Sequence, residues 1–440
     1  MDKFLITGGA PIKGEVSLCG AKNSGFKLMI AALYADTPTT LYNFSKIGDV
    51  FSTAEVIREL GGKVAFGKNH VMQVTSRDLS RYNPSQKSGE VSRAASYFIG
   101  PLLHRFGKAI IPNPGGCKIG RRPIDRHIDG IRALGGGVKV VNSSYEITAK
   151  RLKGAHFTFN KSTHGGTDIM VIAAATAEGK TILENAAAEP EVDDLIAFLN
   201  QMGAKIKRVK SRTIVIEGVD EFHGADYTVM YDRNEAVTFG CAALATKGDV
   251  FVLRADKENL RAFLEAVKNC GGGYEIEERG IRFFYKGPLK ATSITTQPYP
   301  GFMTDWMPLW SILMTQAEGE SIIHETIHNN RFAFVHELSK MGAKIELFNP
   351  AVKNPEKVYN FNLEDDRPEY FHAARIFGPT PLKATIEEIT DVRAGASLML
   401  ASLIARGKSE LLGVEHVDRG YENLDSRLCS LGAKIKRIKA

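Results

Sequence analysis

One short phrase occurs six times in this sequence and constrains its architecture. Each copy has a leucine, methionine or cysteine followed by glycine, and the copies begin at Leu60, Leu134, Met202, Cys270, Met341 and Leu431. Their spacings are 74, 68, 68, 71 and 90 residues, so the unit has about 70 residues and the last carries about 20 more. Such a glycine ends a helix in a left-handed conformation, and the alternating residues after it begin a strand.

A second motif recurs with the same period, an alanine-rich apolar stretch followed by a small turn and a β-rich run. It is clearest in AAATAEGKTILENA (173–186), CAALATKGDVFVLRA (241–255), ILMTQAEGESIIHET (312–326) and LASLIARGKSELLG (400–413). Each unit therefore reads helix, turn, strand, helix, glycine, strand, which is an α/β pattern. Units of this size do not form a solenoid of short repeats. We expect two domains of three units each, divided near residue 230, with helices covering sheet faces.

Composition excludes several classes of protein. The chain has 440 residues, 43% of them hydrophobic, yet no apolar run approaches the roughly 18 residues of a spanning helix. The five cysteines are odd in number and form no CxxC pair, which argues against a disulfide framework and a structural zinc site. We expect a cytoplasmic monomer without membrane insertion, and the net charge of +7 favours anionic ligands.

The stretch NPGGCKIGRRPIDRHIDG (113–130) places Cys117 on a glycine-rich loop ahead of a helix. Nearby Lys118, Arg121, Arg122 and Arg126 favour the thiolate, as a nucleophile or tuned proton donor requires. Glycines, a helix start and arginines also make a cradle for an anion.

A metal or protease-like site built from Cys117, Asp125 and His127 is a weaker interpretation of the same stretch. An anion-facing helix start, in which His127 holds a hydrogen bond, explains these residues more simply.

Other charged residues lie where the repeat pattern breaks. Lys22 and Asn23 stand at a loop-to-helix junction, where the helix dipole disfavours a lysine unless it has a negative partner such as phosphate. Further charges at breaks are Asp305, Arg331, Asp391, Arg393 and Arg419. Together they suit the binding of an anion and the transfer of a proton, whereas each alone also fits a surface salt bridge.

Six motifs give the chain a resemblance that runs nearly end to end: GAKNS, PGGCKIGRRPIDRH, PGFMTD, ETIHNNRF, TDVRAGASL and HVDRGYE. The chain resembles the UDP-N-acetylglucosamine 1-carboxyvinyltransferases of the EPSP synthase-like enolpyruvyl transferase family. The resemblance implies two inside-out α/β barrel domains, each of three βαβαββ repeats. One domain would span residues 22–229 and carry the Cys117 loop, and the other would combine residues 1–21 with 230–440.

The resemblance also implies an activity: transfer of the enolpyruvyl group of phosphoenolpyruvate to the 3-hydroxyl of UDP-N-acetylglucosamine. Phosphate is released through a tetrahedral ketal, without metal or organic cofactor, in the first committed step of peptidoglycan synthesis. Cys117 would act as general acid, form an adduct with phosphoenolpyruvate and be alkylated by fosfomycin, while Asp305 would take the hydroxyl proton. Lys22 and Arg393 complete the implied catalytic set.

The implied substrate-binding residues fall into two groups by the substrate that they serve. Phosphoenolpyruvate or its phosphate would be held by Lys22, Arg122 and Arg393, with Arg93 and Arg419 in support. The other implied substrate-binding residues, most of them on the nucleotide-sugar side, are Asn23, Asp125, His127, Ser162, Thr304, Thr326, Ile327, Arg331 and Asp391.

Two departures from the family pattern bear on the acceptor. Residues 162–166 read STHGG where the family usually has SVGAT, in a segment that helps to hold the UDP diphosphate. The surplus of the last repeat falls near residues 354–380, and its role as lid, docking element or neutral insertion is open.

Three alternatives remain. One is an EPSP synthase-like enzyme with another acceptor, although that group lacks the loop cysteine. Another is a non-catalytic paralogue that binds a UDP-sugar. The third is nucleic-acid binding through residues 205–212 and 434–440, which is disfavoured because these basic runs contain no aromatic partner.

Overall fold

The computed structural model describes residues 2–85, 93–112, 124–142 and 144–439, so Cys117 and Arg122 lie outside the described residues. The chain divides into two compact units. We call the described residues of 20–112 and 124–230 the middle unit, and residues 2–19 with 231–439 the terminal unit. Each unit has its own buried hydrophobic core. No helix in the described part is long and apolar enough to cross a membrane.

The strands are short, and those in the described ranges follow one another as listed here in chain order: β1 (Lys3–Thr7), β2 (Lys13–Ser17), β3 (Thr39–Tyr42), β4 (Lys63–Phe66), β5 (Val71–Thr75), β6 (Lys108–Pro112), β7 (Gly137–Val141), β8 (Ser144–Thr148), β9 (His156–Thr158), β10 (Lys180–Glu184), β11 (Lys205–Lys210), β12 (Thr213–Glu217), β13 (Asp226–Thr228), β14 (Asp249–Leu253), β15 (Gly273–Glu277), β16 (Gly280–Phe284), β17 (Ile294–Thr295), β18 (Gly319–His324), β19 (Lys344–Phe348), β20 (Ala373–Gly378), β21 (Ile386–Glu388), β22 (Lys408–Leu412) and β23 (Lys434–Ile438).

The helices of the described ranges are α1 (Lys22–Ala31), α2 (Gly48–Glu59), α3 (Ile99–Phe106), α4 (Asp125–Ala133), α5 (His164–Ala174), α6 (Pro190–Gln201), α7 (Arg233–Ala245), α8 (Arg261–Asn269), α9 (Met307–Met314), α10 (Phe334–Lys340), α11 (Pro355–Val358), α12 (Val392–Ile404), α13 (Glu415–Asp418) and α14 (Leu424–Ser430). The short 3₁₀ helices that matter below are Arg93–Phe98 and Thr304–Trp306.

The described strands form six small sheets, three in each unit. The middle unit holds β13-β3-β5-β4, β6-β8-β7 and β11-β12-β10-β9. The terminal unit holds β15-β16-β14-β2, β17-β18-β20-β19 and β21-β22-β1-β23. Each four-stranded sheet contains one parallel pair, and in the sheets of β9 and β17 a helix connects the two parallel strands. The structure thus confirms the predicted α/β fold of repeated helix and strand units.

Three repeats borrow a strand from a distant part of the chain. β1 pairs antiparallel with both β22 and β23, and therefore supplies the last strand of the sixth repeat. β2 pairs parallel with β14 as the first strand of the fourth repeat, and β13 pairs parallel with β3 as the first strand of the first. The N-terminal residues consequently belong to the same unit as the C-terminal half.

The helices that precede the second strand of each repeat are buried at the centre of their unit. Every residue of α7 and α9 is buried, and α12 is buried along nearly its whole length. These three helices pack against one another in the terminal unit. Most residues of these helices have apolar or small side chains around the whole circumference. The helices must therefore be shielded from water on every side, and the sheets pack around them.

The glycine of each repeat phrase has the predicted conformation. Its φ is positive in all six copies: +101° at Gly61, +83° at Gly135, +110° at Gly203, +79° at Gly271, +94° at Gly342 and +96° at Gly432. Each follows a helix and precedes a strand. The prediction of helix-terminating glycines is confirmed.

Replacing Gly432 tests this conformational requirement by itself, because a Cβ there would meet no heavy atom within 4 Å. We expect Gly432→Ala to lower the free energy of unfolding by about 1–2 kcal/mol, measured by urea denaturation, because L-residues resist positive φ. Gly432→Asn should lower the free energy of unfolding by less than Gly432→Ala does. Gly25→Ala, inside α1 with its nearest neighbour at 4.0 Å, is the matched control and should not destabilise. Equal stability of the two alanine variants would contradict the prediction.

Candidate active site

Asp305 bridges two buried arginines in the terminal unit. It lies in the Thr304–Trp306 turn that leads into α9. Its Oδ1 is 3.1 Å from Arg331 Nη2, and its Oδ2 is 3.3 Å from Arg393 Nη2. The arginine side chains are 4% and 6% exposed, whereas that of Asp305 is 24% exposed. The carboxylate is therefore oriented on two sides and keeps an accessible surface.

Arg393 is fixed from several directions at the start of α12. Asp391 caps this helix, since its Oδ1 accepts the backbone N–H groups of Arg393 (2.8 Å) and Ala394 (3.2 Å). Arg393 Nη1 donates to the buried Tyr421 Oη at 2.8 Å, and Tyr421 Oη lies 2.9 Å from Thr238 Oγ1. Burial alone would lower the pKa of the guanidinium, but Tyr421 and Asp305 raise it above its usual value. Arg393 is thus a permanently charged, preorganised cation.

Thr304 and Ile327 meet at a buried carboxyl group, that of Glu325. Glu325 accepts hydrogen bonds from Thr304 Oγ1 (2.9 Å), from the Ile327 N–H (2.7 Å) and from the His328 N–H (2.9 Å). Burial raises the pKa of Glu325 above its usual value, although these hydrogen bonds act in the opposite direction. Thr326, next to it, is itself buried. Glu325 therefore joins the turn that carries Asp305 to the segment after β18.

The N-terminal ends of α7, α9 and α12 come together in this unit. Trp306 Nε1 donates to Asn234 Oδ1 of α7 at 2.9 Å, while Arg393 of α12 reaches Asp305. Arg233, the first residue of α7, is also buried and stacks over the Tyr299 ring at 4.9 Å. Helix N-termini carry partial positive charge, so this end of the unit suits an anion.

Lys22 and Asn23 begin α1 in the middle unit, at the predicted junction. Lys22 Nζ lies 2.8 Å from Asp49 Oδ2 in the first turn of α2, and each side chain is 17% exposed. The negative partner that the sequence required is thus a carboxylate of the protein. Asn23 is half-buried beside it.

Ser162 and His127 both border the N-terminus of α5. Ser162 Oγ accepts from Arg212 Nη1 at 2.8 Å, and Thr163 caps the helix by accepting the Gly166 N–H. The His127 ring lies so near that a Cβ at Gly166 would approach its Cδ2 to 3.2 Å. The structure thus brings together two of the predicted nucleotide-sugar residues, and glycine at position 166 leaves room first for the Thr163 side chain and then for the His127 ring.

A buried charged cluster lies one turn further along α5. Asp168 Oδ2 is 2.5 Å from Lys27 Nζ, and His164 Nε2 is 2.8 Å from the same ammonium. Lys27 and Asp168 are 2% and 0% exposed. Burial raises the pKa of Asp168 from 3.8 to about 7, although Lys27 acts in the opposite direction and Glu189 and Glu191 add to the rise.

Three further predicted residues lie in other described segments. Asp125 is exposed in the first turn of α4, Arg419 is half-buried after α13, and Arg93 is the first residue of its 3₁₀ turn. Cys117 and Arg122 are outside the described residues. Within the described ranges, no three histidine, cysteine or acidic side chains are grouped so that they would hold a metal ion.

Sequence reasoning missed several residues that orient the site. Tyr421 stands inside the quoted motif HVDRGYE and Lys27 interrupts the apolar run of α1, so both carried a signal. Glu325 begins the quoted motif ETIHNNRF and carried the same kind of signal. Asp49 and Asp168 carried none, because their partners Lys22 and Lys27 are remote in sequence.

Comparison with known proteins gives a consistent result. Residues 6–428 match the EPSP synthase (3-phosphoshikimate 1-carboxyvinyltransferase) family. UDP-N-acetylglucosamine 1-carboxyvinyltransferase 3 of Caldanaerobacter subterraneus subsp. tengcongensis is 41% identical over 439 residues, covering 100% of both chains. UDP-N-acetylglucosamine 1-carboxyvinyltransferase of Halothermothrix orenii is 39% identical with the same coverage.

Solved structures confirm the two-domain α/β fold. The enolpyruvyl transferase NikO from Streptomyces tendae superposes with a TM-score of 0.86 at 22% identity, covering 100% of this chain and 99% of that one. An EPSP synthase from Acinetobacter baumannii has a TM-score of 0.70 at 18% identity, covering 100% of both chains.

Removing Lys27 tests whether the buried Lys27 and Asp168 stabilise each other's charge. We expect Lys27→Met to lower the free energy of unfolding by about 3–5 kcal/mol, because it leaves a buried carboxyl group without its cation. The double variant Lys27→Met/Asp168→Asn should recover most of the loss in urea denaturation. A double variant no more stable than the single one would contradict this account.

The same cluster predicts a pH dependence of stability. The pKa of Asp168 is raised to about 7 in the folded protein, so folding takes up a proton between pH 4 and 7. The contribution of Asp168 to stability is therefore complete below pH 4 and is lost as the pH rises through 7. Asp168→Asn should flatten this part of the profile of unfolding free energy against pH. An unchanged slope in the variant would assign the dependence to another group.

Proposed function

The chain belongs to the EPSP synthase (3-phosphoshikimate 1-carboxyvinyltransferase) family, and from this we propose that it transfers the enolpyruvyl group of phosphoenolpyruvate to the 3-hydroxyl of UDP-N-acetylglucosamine, releasing phosphate. This is a transferase reaction of peptidoglycan synthesis. The acceptor is supported by the names of relatives that match over their full length. The observation that carries the chemistry is Asp305, a partly exposed carboxylate held between two buried guanidinium groups.

Asp305 is the base in this proposal. A sugar hydroxyl is a weak nucleophile unless its proton is removed as it attacks, and an oriented carboxylate can take that proton. Arg331 and Arg393 fix both oxygens of Asp305, so that its accessible surface has a defined direction. Because the carboxylate is already held in a defined geometry, less entropy is lost when the hydroxyl and the base come together in the reaction.

Arg331 and Arg393 also stabilise negative charge in this proposal. Two guanidinium groups face one carboxylate, so the cluster carries a net positive charge in its ionised form. When Asp305 accepts the hydroxyl proton it becomes neutral, and its attraction for Arg393 falls. Arg393, held by Tyr421, then acts on the negative charge of the departing phosphate.

The bond changes follow the addition and elimination order that the family resemblance implies. The sugar oxygen bonds to C2 of phosphoenolpyruvate while C3 takes a proton, which gives a tetrahedral ketal with phosphate still attached. Loss of a C3 proton and of phosphate from C2 then gives the enolpyruvyl ether. We assign the C3 proton to Cys117, which is also the expected site of alkylation by fosfomycin.

The middle unit supplies cations and polar groups in this proposal. We assign Lys22 and Arg122 to phosphoenolpyruvate, with Arg93 in support. Lys22 is paired with Asp49 in the structure, so an anionic substrate competes with that carboxylate for the ammonium group. The nucleotide-sugar side takes Asn23, Asp125, His127 and Ser162.

In the terminal unit we assign Thr304, Thr326, Ile327, Arg331 and Asp391 to the acceptor, with Arg419 supporting the phosphate. Asp391 also caps α12, so a substitution there changes the position of Arg393 as well. The cytoplasmic location and the monomeric state stay predictions from the sequence.

Asp305→Asn tests the assignment of the base. We expect kcat to fall by about 10²–10⁴-fold, since an amide of the same shape cannot accept the proton. The assay is phosphate release from phosphoenolpyruvate in the presence of UDP-N-acetylglucosamine. Glu277→Gln, an exposed acid on β15 of the same unit, is the matched control and should keep wild-type turnover.

The outcomes separate the proposal from its alternatives. Turnover of Asp305→Asn equal to that of Glu277→Gln would remove Asp305 from the chemistry. Release by the wild-type protein with shikimate 3-phosphate or another UDP-sugar, but not with UDP-N-acetylglucosamine, would mean that the acceptor is wrong. Binding of UDP-N-acetylglucosamine without release under any of these conditions would indicate a non-catalytic paralogue.

A further inference from the structure

The hairpin between β19 and β20 has an unusually long connection. Phe348 pairs with Ala373 at the end of the hairpin, so residues 349–372 form the loop between the two strands. The equivalent hairpins β11–β12 and β15–β16 are closed by residues 211–212 and 278–279. The sequence predicted a surplus of about 20 residues near 354–380 in the last repeat, whereas the structure places it in this loop of the fifth repeat, and β20 forms the end of the predicted range.

The 349–372 loop is folded on itself. Tyr359, Phe361 and His372 are buried, and the Tyr359 ring lies 4.9 Å from that of Phe361 and 5.0 Å from that of His372. Asn349 ties the two ends together, because its Oδ1 accepts the His372 N–H and its Nδ2 donates to the Tyr370 carbonyl. A loop with its own aromatic core and closed ends has a defined conformation.

The folded loop is docked on the segment after β18. The Asn360 N–H donates to the Thr326 carbonyl at 2.7 Å, and Asn329 Nδ2 donates to the Asp365 carbonyl at 2.7 Å. The Tyr359 ring also packs edge-on against His324 at 5.7 Å. The loop thus holds residues 324–329 at both ends.

This segment is the one that faces the proposed chemistry. Glu325 within it receives the Thr304 hydroxyl, and Thr304 immediately precedes Asp305. Arg331, two residues beyond Asn329, forms the ion pair with Asp305. A shift of the 324–329 backbone would displace Thr326 and Ile327, which we assign to the acceptor, whereas Asp305 stays paired with Arg393, which α12 and Tyr421 hold.

We propose that the 349–372 loop is a positioning element for the acceptor, which fixes the Thr326–Asn329 backbone in the conformation that binds the nucleotide sugar. This inference rests on the proposed function. The backbone is held by a carbonyl of Thr326 and a side chain of Asn329, and polar backbone groups of a fixed segment recognise a ligand at low entropic cost. The loop therefore acts on acceptor affinity, and the oriented Asp305 and Arg393 determine the rate of the chemical step.

The first test removes the loop. Residues 349–372 are replaced by a two-residue Asn-Gly turn, which joins Phe348 to Ala373 as a tight hairpin. We expect the KM for UDP-N-acetylglucosamine to rise by about ten-fold or more, because hydrogen bonds that hold the binding segment are lost. The KM for phosphoenolpyruvate and kcat should stay within about two-fold of wild type.

A second variant keeps the loop length and removes only its docking. Tyr359→Ala deletes the buried ring that packs against His324, and we expect it to raise the acceptor KM in the same direction. Phe371→Ala, an aromatic residue of the same loop that is 39% exposed, is the matched control and should behave as wild type. If the shortened chain fails to fold, the comparison of these two point variants decides the question.

Each outcome has a defined meaning. A selective rise in the acceptor KM of Tyr359→Ala, absent from Phe371→Ala, supports the proposal. Folded variants with an unchanged acceptor KM, or with equal losses in both KM values and kcat, would overturn it. If the wild-type protein shows no transfer, the proposed function fails instead; calorimetric binding of UDP-N-acetylglucosamine then tests the loop, and equal affinity of Tyr359→Ala and wild type would contradict its role.

Discussion

Burial of helices that have no polar face is the constraint on which the rest of this structure depends. Every residue of α7 and α9 is buried, so these helices need apolar cover around their whole circumference. Within each unit, three small sheets provide that cover and leave one face of each strand towards solvent. Charged side chains therefore lie mostly at the ends of such helices, and one that is buried further inside needs a charged partner, as Lys27 of α1 has in Asp168. Asp305 and Arg393 in the terminal unit, and Lys22 in the middle unit, all lie at the N-terminal ends of central helices.

This placement has an electrostatic consequence. The N-terminal ends of α7, α9 and α12 come together, and their partial positive charges add to those of Arg233, Arg331 and Arg393. Asp232 and Asp391 offset part of this charge by capping α7 and α12, and Asp305 and Glu325 offset more of it. In the proposed reaction, protonation of Asp305 increases the positive charge that faces the departing phosphate. The proposed binding and catalysis thus both depend on this packing arrangement.

The sequence predicted those features whose cause is local. A glycine directly after a helix is expected to adopt the left-handed conformation that ends the helix, and all six glycines have the expected positive φ. Lys22 was expected to have a negative partner because a lysine at a helix start is disfavoured locally, although Asp49 itself could not be identified. Non-local features were not predictable in this way. The pairing of β1 with β22 and β23, or of Lys27 with Asp168, joins residues from opposite ends of a chain or unit, and no local pattern encodes the partner. Likewise, the surplus was visible, but its place in the fifth repeat and its docking through Asn360 and Asn329 depend on tertiary contacts.

In the proposed function, the oriented carboxylate and its arginines serve the transfer of an enolpyruvyl group to a nucleotide sugar. The most direct measurement is mass spectrometry of UDP-N-acetylglucosamine after incubation of the purified protein with phosphoenolpyruvate. We expect a product heavier than the acceptor by one enolpyruvyl group, formed in equal amount to the phosphate released. Recovery of unmodified UDP-N-acetylglucosamine, with phosphoenolpyruvate intact, would contradict it.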